Sequence, residues 1–249
     1  MGPEHRRNWI VEQITLEGEL KIDKLVEALN VSSMTVRRDL DLLEKEGKVI
    51  RTHGGAILAK PLMIETPFMK KKSEKIDQKQ KIAQKAMTRV HEGQIILLDS
   101  GTTTLEIARL LKERENITIL TNDIYIAAEL VDSSLEVIVL GGHLQSQVGA
   151  LFGPQANSFL ENIHVDVFFL GTQAIDHKAG VTSPTLEKAH LKRLMMQAAE
   201  NVWLVSDSSK IGKKAFAKIC DVSELTGFII DDEMSDETKR ILSQLTVIV

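Results

Sequence analysis

Five short polar stretches in the second half of the sequence each follow an apolar run: DSGTTT (99–104), TND (121–123), GGHLQ (141–145), GTQAID (171–176) and SDSSK (206–210). In the first, Gly101 lets the backbone approach a ligand closely. Thr102, Thr103 and Thr104 open a helix whose free N–H groups and dipole favour an anion. With threonine hydroxyls as further donors, the stretch has the makings of a phosphate cradle; the plainer account is that Ser100 and Thr102 only cap the helix. The lysine of a nucleotide-hydrolysing P-loop is missing, which points away from NTP hydrolysis. Lys210 could supply the positive charge that the first stretch lacks, while Asp99 and Asp207 could accept bonds from sugar hydroxyls. A capping serine followed by a surface lysine is the simpler account of 206–210. Lys79 could reach the same place from a preceding helix. Glu187 could join, or could be an ordinary first-turn glutamate favoured by the helix dipole. Together these groups suit a polyhydroxylated, phosphorylated small molecule.

A second chemistry sits near the N-terminus, in VSSMTVRRDLDLLEKEGKVIRTHGGA (31–56). Ser33, Met34, Thr35, Arg37 and Arg38 crowd the start of a helix. Arginine suits guanine edges and phosphates, and serine or threonine bonds to either. Arg37 and Arg38 could instead pair with Asp41 or Glu44 on a solvated face. Arg51 and His53 fall in a glycine-turned hairpin just beyond, where they would shape or extend a wing. No metal constellation is visible: the seven histidines form no H-x-x-x-H pair, and Cys220 alone makes neither an intrachain disulfide nor a Cys-only metal site. No cofactor is expected beyond a small-molecule effector.

These residues need elements to hold them. Trp9, Ile10, Ile14 and Leu16 give one helical stripe ending at Gly18. Ile22, Leu25, Val26 and Leu29 give a second within LKIDKLVEALN, closed by Asn30. Ser32 caps a third bearing Val36, Leu40 and Leu43, with Leu42 at its margin, which stops at Gly47. Helix, helix, turn, helix and hairpin make a winged helix-turn-helix, whose third helix enters the major groove by its N-terminal end. From residue 94, QIILLD, ITILT, EVIVLGG, VDVFFLG, NVWLVS and LTGFII alternate with helix-like stretches at 103–114, 123–131, 186–200 and 235–244. That rhythm predicts an α/β domain with a mostly parallel sheet, to which LTVIV adds an edge strand. Ligands bind beyond the carboxyl ends of such strands, where the five polar stretches lie. The expected divisions are 1–57 for the DNA-binding domain, 58–75 for a linker and 76–249 for the sensor. The lysine run 70–72 would brush DNA phosphates or face solvent.

Composition is compatible with this plan. The 249 residues are 43% hydrophobic and 27% charged, which excludes a wholly disordered chain. No apolar run approaches the ~18 residues of a membrane span, and MGPEHRRNWIVEQ lacks a signal peptide's apolar centre, so a reducing cytoplasm is expected. Residues 1–85 hold 17 lysines and arginines against 13 acids, and the remainder 14 against 22, which hints at a polyanion partner for the N-terminal part.

SSMTVRRDLDLLEKEGKVIRTHGGA resembles the DNA-binding signature of DeoR-type bacterial transcriptional regulators. DSGTTT, LTND, LGG, FGP and SDSSK follow the order of landmarks in that family's sensor domain, over roughly residues 5 to 232. The resemblance implies a repressor, usually of sugar-catabolic genes, that binds double-stranded operator DNA and is gated by a phosphorylated sugar or sugar derivative. It also implies a sensor similar in fold to ribose-5-phosphate isomerase, and VSSM departs from the acidic or bulkier residue many relatives carry, which bears on operator preference. By the same resemblance, phosphate recognition falls to Ser100, Gly101, Thr102, Thr103 and Thr104. Further contacts fall to Asp99, Asn122, Gly142, Asp207 and Lys210, with Lys79 outlying. Reading an operator by half-sites needs an even-numbered homo-oligomer, dimer or tetramer. The alternative is a sugar-phosphate isomerase-like enzyme using Glu187 or Asp207 with Lys210.

Overall fold

The computed structural model describes residues 2–17, 19–58, 62 and 65–249. Gly18 and linker positions 59–61, 63 and 64 lie outside the described residues, as does the side chain of Leu16. The chain divides into two units, Met1–Ile64 and Glu65–Val249.

The first unit runs α1 (Pro3–Glu17), β1 (Glu19–Lys21), α2 (Ile22–Leu29), α3 (Ser33–Lys45), β2 (Val49–Thr52) and β3 (Gly55–Leu58). Ile10, Ile14, Leu25, Val36, Leu40 and Leu43 are fully buried and form its core with Val49 and Ala56. Asn30 ends α2 in the left-handed conformation (φ 49°), and Ser32 caps α3 by accepting from the Thr35 N–H. Leu42 is exposed. Residues 20 and 21, expected in the second helix, are in strand instead. Leu20 is buried between two exposed neighbours, a period of two, and β1 pairs antiparallel with β3 in a β1-β3-β2 sheet. Gly55 permits that pairing: a Cβ there would lie 2.1 Å from the Leu20 carbonyl oxygen.

The second unit begins with α4 (Phe68–Ser73) and α5 (Ile76–Ala86), so residues 65–75 belong to the sensor body and not to a linker. Phe68 is buried and stacks on Tyr125 at 3.8 Å between ring centroids, which fixes this segment. Then follow β4 (Ile95–Leu98), α6 (Thr102–Leu111), β5 (Thr118–Thr121), α7 (Ile124–Leu130), β6 (Glu136–Val139), β7 (His143–Gln145), β8 (Ala150–Phe152) and α8 (Pro154–Leu160). The remainder comprises β9 (Val165–Gly171), β10 (Ala174–Asp176), β11 (Gly180–Ser183), α9 (Leu186–Gln197), β12 (Ala199–Ser206), β13 (Ala217–Cys220), β14 (Gly227–Ile230), α10 (Asp236–Ser243) and β15 (Val247–Ile248).

Seven strands form one sheet in the order β15-β14-β12-β9-β4-β5-β6, with every pairing parallel. Side chains alternate between its faces. Val167 and Phe169 pack with Ile82, Leu105, Ile107 and Ile126 from α5, α6 and α7. Phe168 and Leu170 pack on the other face with Leu160, Leu191 and Met195 from α8 and α9. The chain builds β4 to β6 outward, then returns to lay β9 against the other edge of β4. Loops leaving β4 and β9 therefore part in opposite directions, and the gap between them is where a parallel sheet accepts a ligand.

Candidate functional site

In the first unit, the face of α3 turned away from the core carries Ser33, Met34, Arg37 and Arg38, all exposed, with Met34 60% exposed. Thr35 is half-buried, and its hydroxyl bonds the Ser32 hydroxyl at 2.9 Å, so it serves the cap. Arg37 and Arg38 form no ion pair among the described residues, because Asp41 and Glu44 are engaged elsewhere. The Arg51 guanidinium bonds Asp41, and the Arg51 N–H donates to Glu44 Oε1 at 2.9 Å. Arg51 thus stitches the wing to α3, in keeping with a wing-shaping role, and His53 is exposed at the wing's turn. Asp39, which follows Arg38, points inward at 3% exposure and takes Arg6 of α1 at 2.5 Å. Its role was missed, although it falls on the same helical stripe as Val36 and Leu43.

In the second unit, a cavity of about 310 Å³ opens beyond the carboxyl ends of β4, β9 and β12. It falls within the size range of small-molecule sites. Ser100, Gly101 and Thr102–Thr104 form one wall, and Asp207 and Lys210 another. The N–H groups of Thr102–Thr104 start α6 with no acceptor inside the chain among the described residues, so their partial positive charge faces the cavity. The Gly101 N–H donates to Asp123 Oδ2 at 3.1 Å, and the Thr104 hydroxyl donates to the Asp99 carbonyl at 2.7 Å. These two groups shape the loop. The Gly101 backbone is extended (φ 168°), and a Cβ would meet nothing nearer than Thr104 Oγ1 at 3.4 Å. Nothing within the fold requires glycine there.

Six lysines line the cavity: Lys71, Lys75, Lys79, Lys188, Lys192 and Lys210. Lys192 Nζ donates to Asp99 Oδ2 at 2.5 Å and to the Gly171 carbonyl at 2.6 Å, and the Gly171 N–H donates to the same Asp99 oxygen at 2.9 Å. Asp99 therefore lies behind the wall, clamping β4 to β9 and holding a lysine, instead of facing a ligand. Lys188 Nζ donates to Glu65 Oε2 at 2.5 Å, Gln173 donates to Glu65 Oε1 at 2.5 Å, and Lys71 Nζ lies 3.7 Å from Glu65 Oε1. Lys79 is buried and donates to the carbonyls of Lys71 and Glu74, tying α4 to α5. Burial pushes the Lys71 ammonium down to about 8; Glu65 opposes this, while the neighbouring Lys188 and Lys192 cations add to it. Lys188 and Lys79 are lowered by burial too, against the opposing pull of Glu65 and Asp207 respectively. Ammonium groups crowded in a poorly solvated cavity gain from a bound anion.

Two expected contacts fall elsewhere. Asn122 Nδ2 donates to the Leu151 carbonyl at 3.2 Å, and Gly142 (φ 138°) sits where a Cβ would be 2.1 Å from the Phe152 carbonyl oxygen. Both support the β7–β8 hairpin and neither lines the cavity. Glu187 is exposed and off the lining, so a base for isomerisation is not supplied from there. Lys70 and Lys72 are exposed, while Lys71 between them faces the cavity. Glu65, Lys71, Lys188 and Lys192 were all missed as site residues. For the α9 pair a signal existed: lysines four apart on the buried stripe shared with Leu191 and Met195 are out of place unless they meet an anion. Glu65 carries no local signal.

Residues 6–61 match the family profile described as DeoR-like helix-turn-helix domain, and residues 74–232 match DeoR C terminal sensor domain. The chain is 35% identical over 249 residues to the HTH-type transcriptional regulator GlpR of Haloferax volcanii, covering 100% of this chain and 98% of that protein. It is 34% identical over 234 residues to the putative aga operon transcriptional repressor of Escherichia coli O157:H7, covering 93% of this chain and 87% of that protein. It is 30% identical over 232 residues to the glycerol-3-phosphate regulon repressor of Escherichia coli K12, covering 93% and 92%. Ribose 5-phosphate isomerase A of Methanocaldococcus jannaschii overlays 55% of this chain and 54% of its own at 16% identity and a TM-score of 0.41, too loose to carry an argument.

Proposed function

The chain belongs to the DeoR family of helix-turn-helix transcriptional regulators, and on that premise we propose that it represses a sugar-catabolic operon under control of a phosphorylated sugar or sugar derivative bound in the Ser100–Lys210 cavity. The observation that carries this reading is the meeting of unpaired N–H groups at the start of α6 with six lysines around one small cavity. A phosphomonoester brings a charge of about −1.5 to −2 and three acceptor oxygens, which answers both. Gly101 fits the same account: a residue the fold leaves free to vary is glycine where a ligand must come close to the backbone. One relative is named for a glycerol-3-phosphate regulon, a name of the same chemical class. DNA recognition falls to Arg37 and Arg38, with Ser33 and Met34 at the leading end of α3 and His53 on the wing.

Thermal unfolding against a panel of phosphorylated sugars, each beside its unphosphorylated parent, tests the ligand. A true effector at about 100 times its dissociation constant adds roughly 2.7 kcal/mol, a clear rise in midpoint. Gly101→Ala should fold with an unaltered midpoint and lose most of that rise, because its methyl group occupies ligand space. Equal shifts by phosphate and parent, or none across a broad panel, would remove the phosphate reading.

A further inference from the structure

Glu65 is an oddity in a cavity built for anions. Its carboxylate side chain is 8% exposed and both oxygens are engaged, by Lys188 and by Gln173 with Lys71 nearby. Its backbone takes part in no hydrogen bond among the described residues, and its side chain ties it to Lys188 and Gln173. The other buried carboxylates here leave from strand ends: Asp99 follows β4, and Asp207 follows β12 and caps Ser209. Glu65 instead stands at the first position of the second unit, where the chain arrives from the DNA-binding unit.

The interior charge decides what an incoming ligand must do. Lys192 is matched by Asp99, and at the rim Lys75 is matched by Glu233 at 3.1 Å. Lys210 and Glu74, of opposite charge, also line the cavity, from its less buried positions. Inside remain Lys71, Lys79 and Lys188 against Glu65 and Asp207, one positive charge in excess. A dianion added to that set would leave the interior negative, a costly state away from water. If Glu65 leaves, three lysines face the dianion and Asp207, and charge is matched.

We propose that the Glu65 carboxylate is a built-in competitor for Lys71 and Lys188, expelled when a dianionic phosphoryl group takes the cavity. The proposal rests on the phosphate reading above and extends it to regulation: the ligand releases the point at which the chain enters the sensor. It also gives selectivity, since a neutral sugar or a carboxylate monoanion does not overcharge the interior and leaves Glu65 where it is.

The test uses the full chain with inorganic phosphate as probe and acetate as the monoanion control. Calorimetric titration compares the unaltered protein, Glu65→Gln and Glu74→Gln, the last removing an equal charge from the rim without freeing Lys188. A competitor resident nine-tenths of the time weakens apparent affinity about tenfold, so Glu65→Gln should bind phosphate about tenfold tighter and gain clearly more than Glu74→Gln. Amide exchange in the unaltered chain supplies a readout that does not depend on a variant folding. Phosphate, and not acetate, should speed exchange in the peptide covering residues 65–73. Unchanged exchange on phosphate binding overturns the proposal, as does a gain in Glu65→Gln no larger than in Glu74→Gln; in both cases the phosphate reading stands. If the unaltered chain and Glu65→Gln both fail to bind phosphate, that reading and the proposal fall together.

Discussion

Arg38 and Asp39 are neighbours in sequence with opposite surroundings. One is exposed on the solvent face of α3, while the other is buried against Arg6. The 100° step of a helix separates them, and that step assigns one to chemistry and the next to architecture. The same step separates Glu187, exposed, from Lys188 in the cavity wall. At this scale the pH behaviour of Lys71 can be worked out. Its folded value of about 8 lies below the ordinary 10.5. Between those limits the folded chain carries fewer protons than the unfolded one, so this group's contribution to stability rises as pH climbs through that window. Anion binding needs the protonated form and runs the other way. A phosphomonoester, already dianionic above about pH 6, should bind progressively more weakly from pH 7.5 to 9. Titrations across that range check it, and Lys71→Met should flatten the dependence; an unchanged slope in the variant would assign it to another group.

Elements set what these side chains can reach. Ser32 fixes where α3 starts, and the Arg51 bridge fixes the wing on α3, so the exposed arginines project from a braced helix. Arg37→Ala should then cost about 1–3 kcal/mol against specific operator. Little should be lost on random DNA, and the ligand-induced thermal shift should persist. Competition gel shifts decide; equal losses on operator and random DNA would make Arg37 a phosphate contact only. In the second unit, α6 turns its N-terminus to the cavity because β4 delivers the chain there, and α9 brings Lys188 and Lys192 across from the opposite side of the sheet. Asp99 joins the two: it holds Lys192 and the β9 backbone together. The expected sugar-hydroxyl contact is thereby the brace of the site.

At the scale of the whole molecule, two units with separate cores carry the helix-turn-helix and the DeoR sensor domain. One recognition helix covers only a few base pairs, so useful affinity requires two-fold pairing of half-sites. Light scattering at micromolar concentration should report a dimer or tetramer, and operator sites should show inverted half-sites. A monomer that binds a single half-site as tightly as the pair would refute this.

The winged helix-turn-helix, the parallel strands of the sensor sheet and the helix that opens at Thr102 were all legible in the sequence. Each rests on periodicity, caps and turns acting over fewer than about a dozen residues, and local sequence encodes such effects directly. The short strands β1, β7, β8, β10, β11 and β13 were not legible, since three or four residues carry little period and exist only because a partner lies alongside. The cationic half of the cavity was hidden for the same reason. Glu65, Lys71, Lys188 and Lys192 come from three places in the chain; Glu65 and Lys71 alone are ordinary charged residues, and only the stripe shared with Leu191 and Met195 marks the α9 pair. Only tertiary structure brings them within ion-pair distance and removes the water, and burial there lowers the Lys71 and Lys188 ammonium groups.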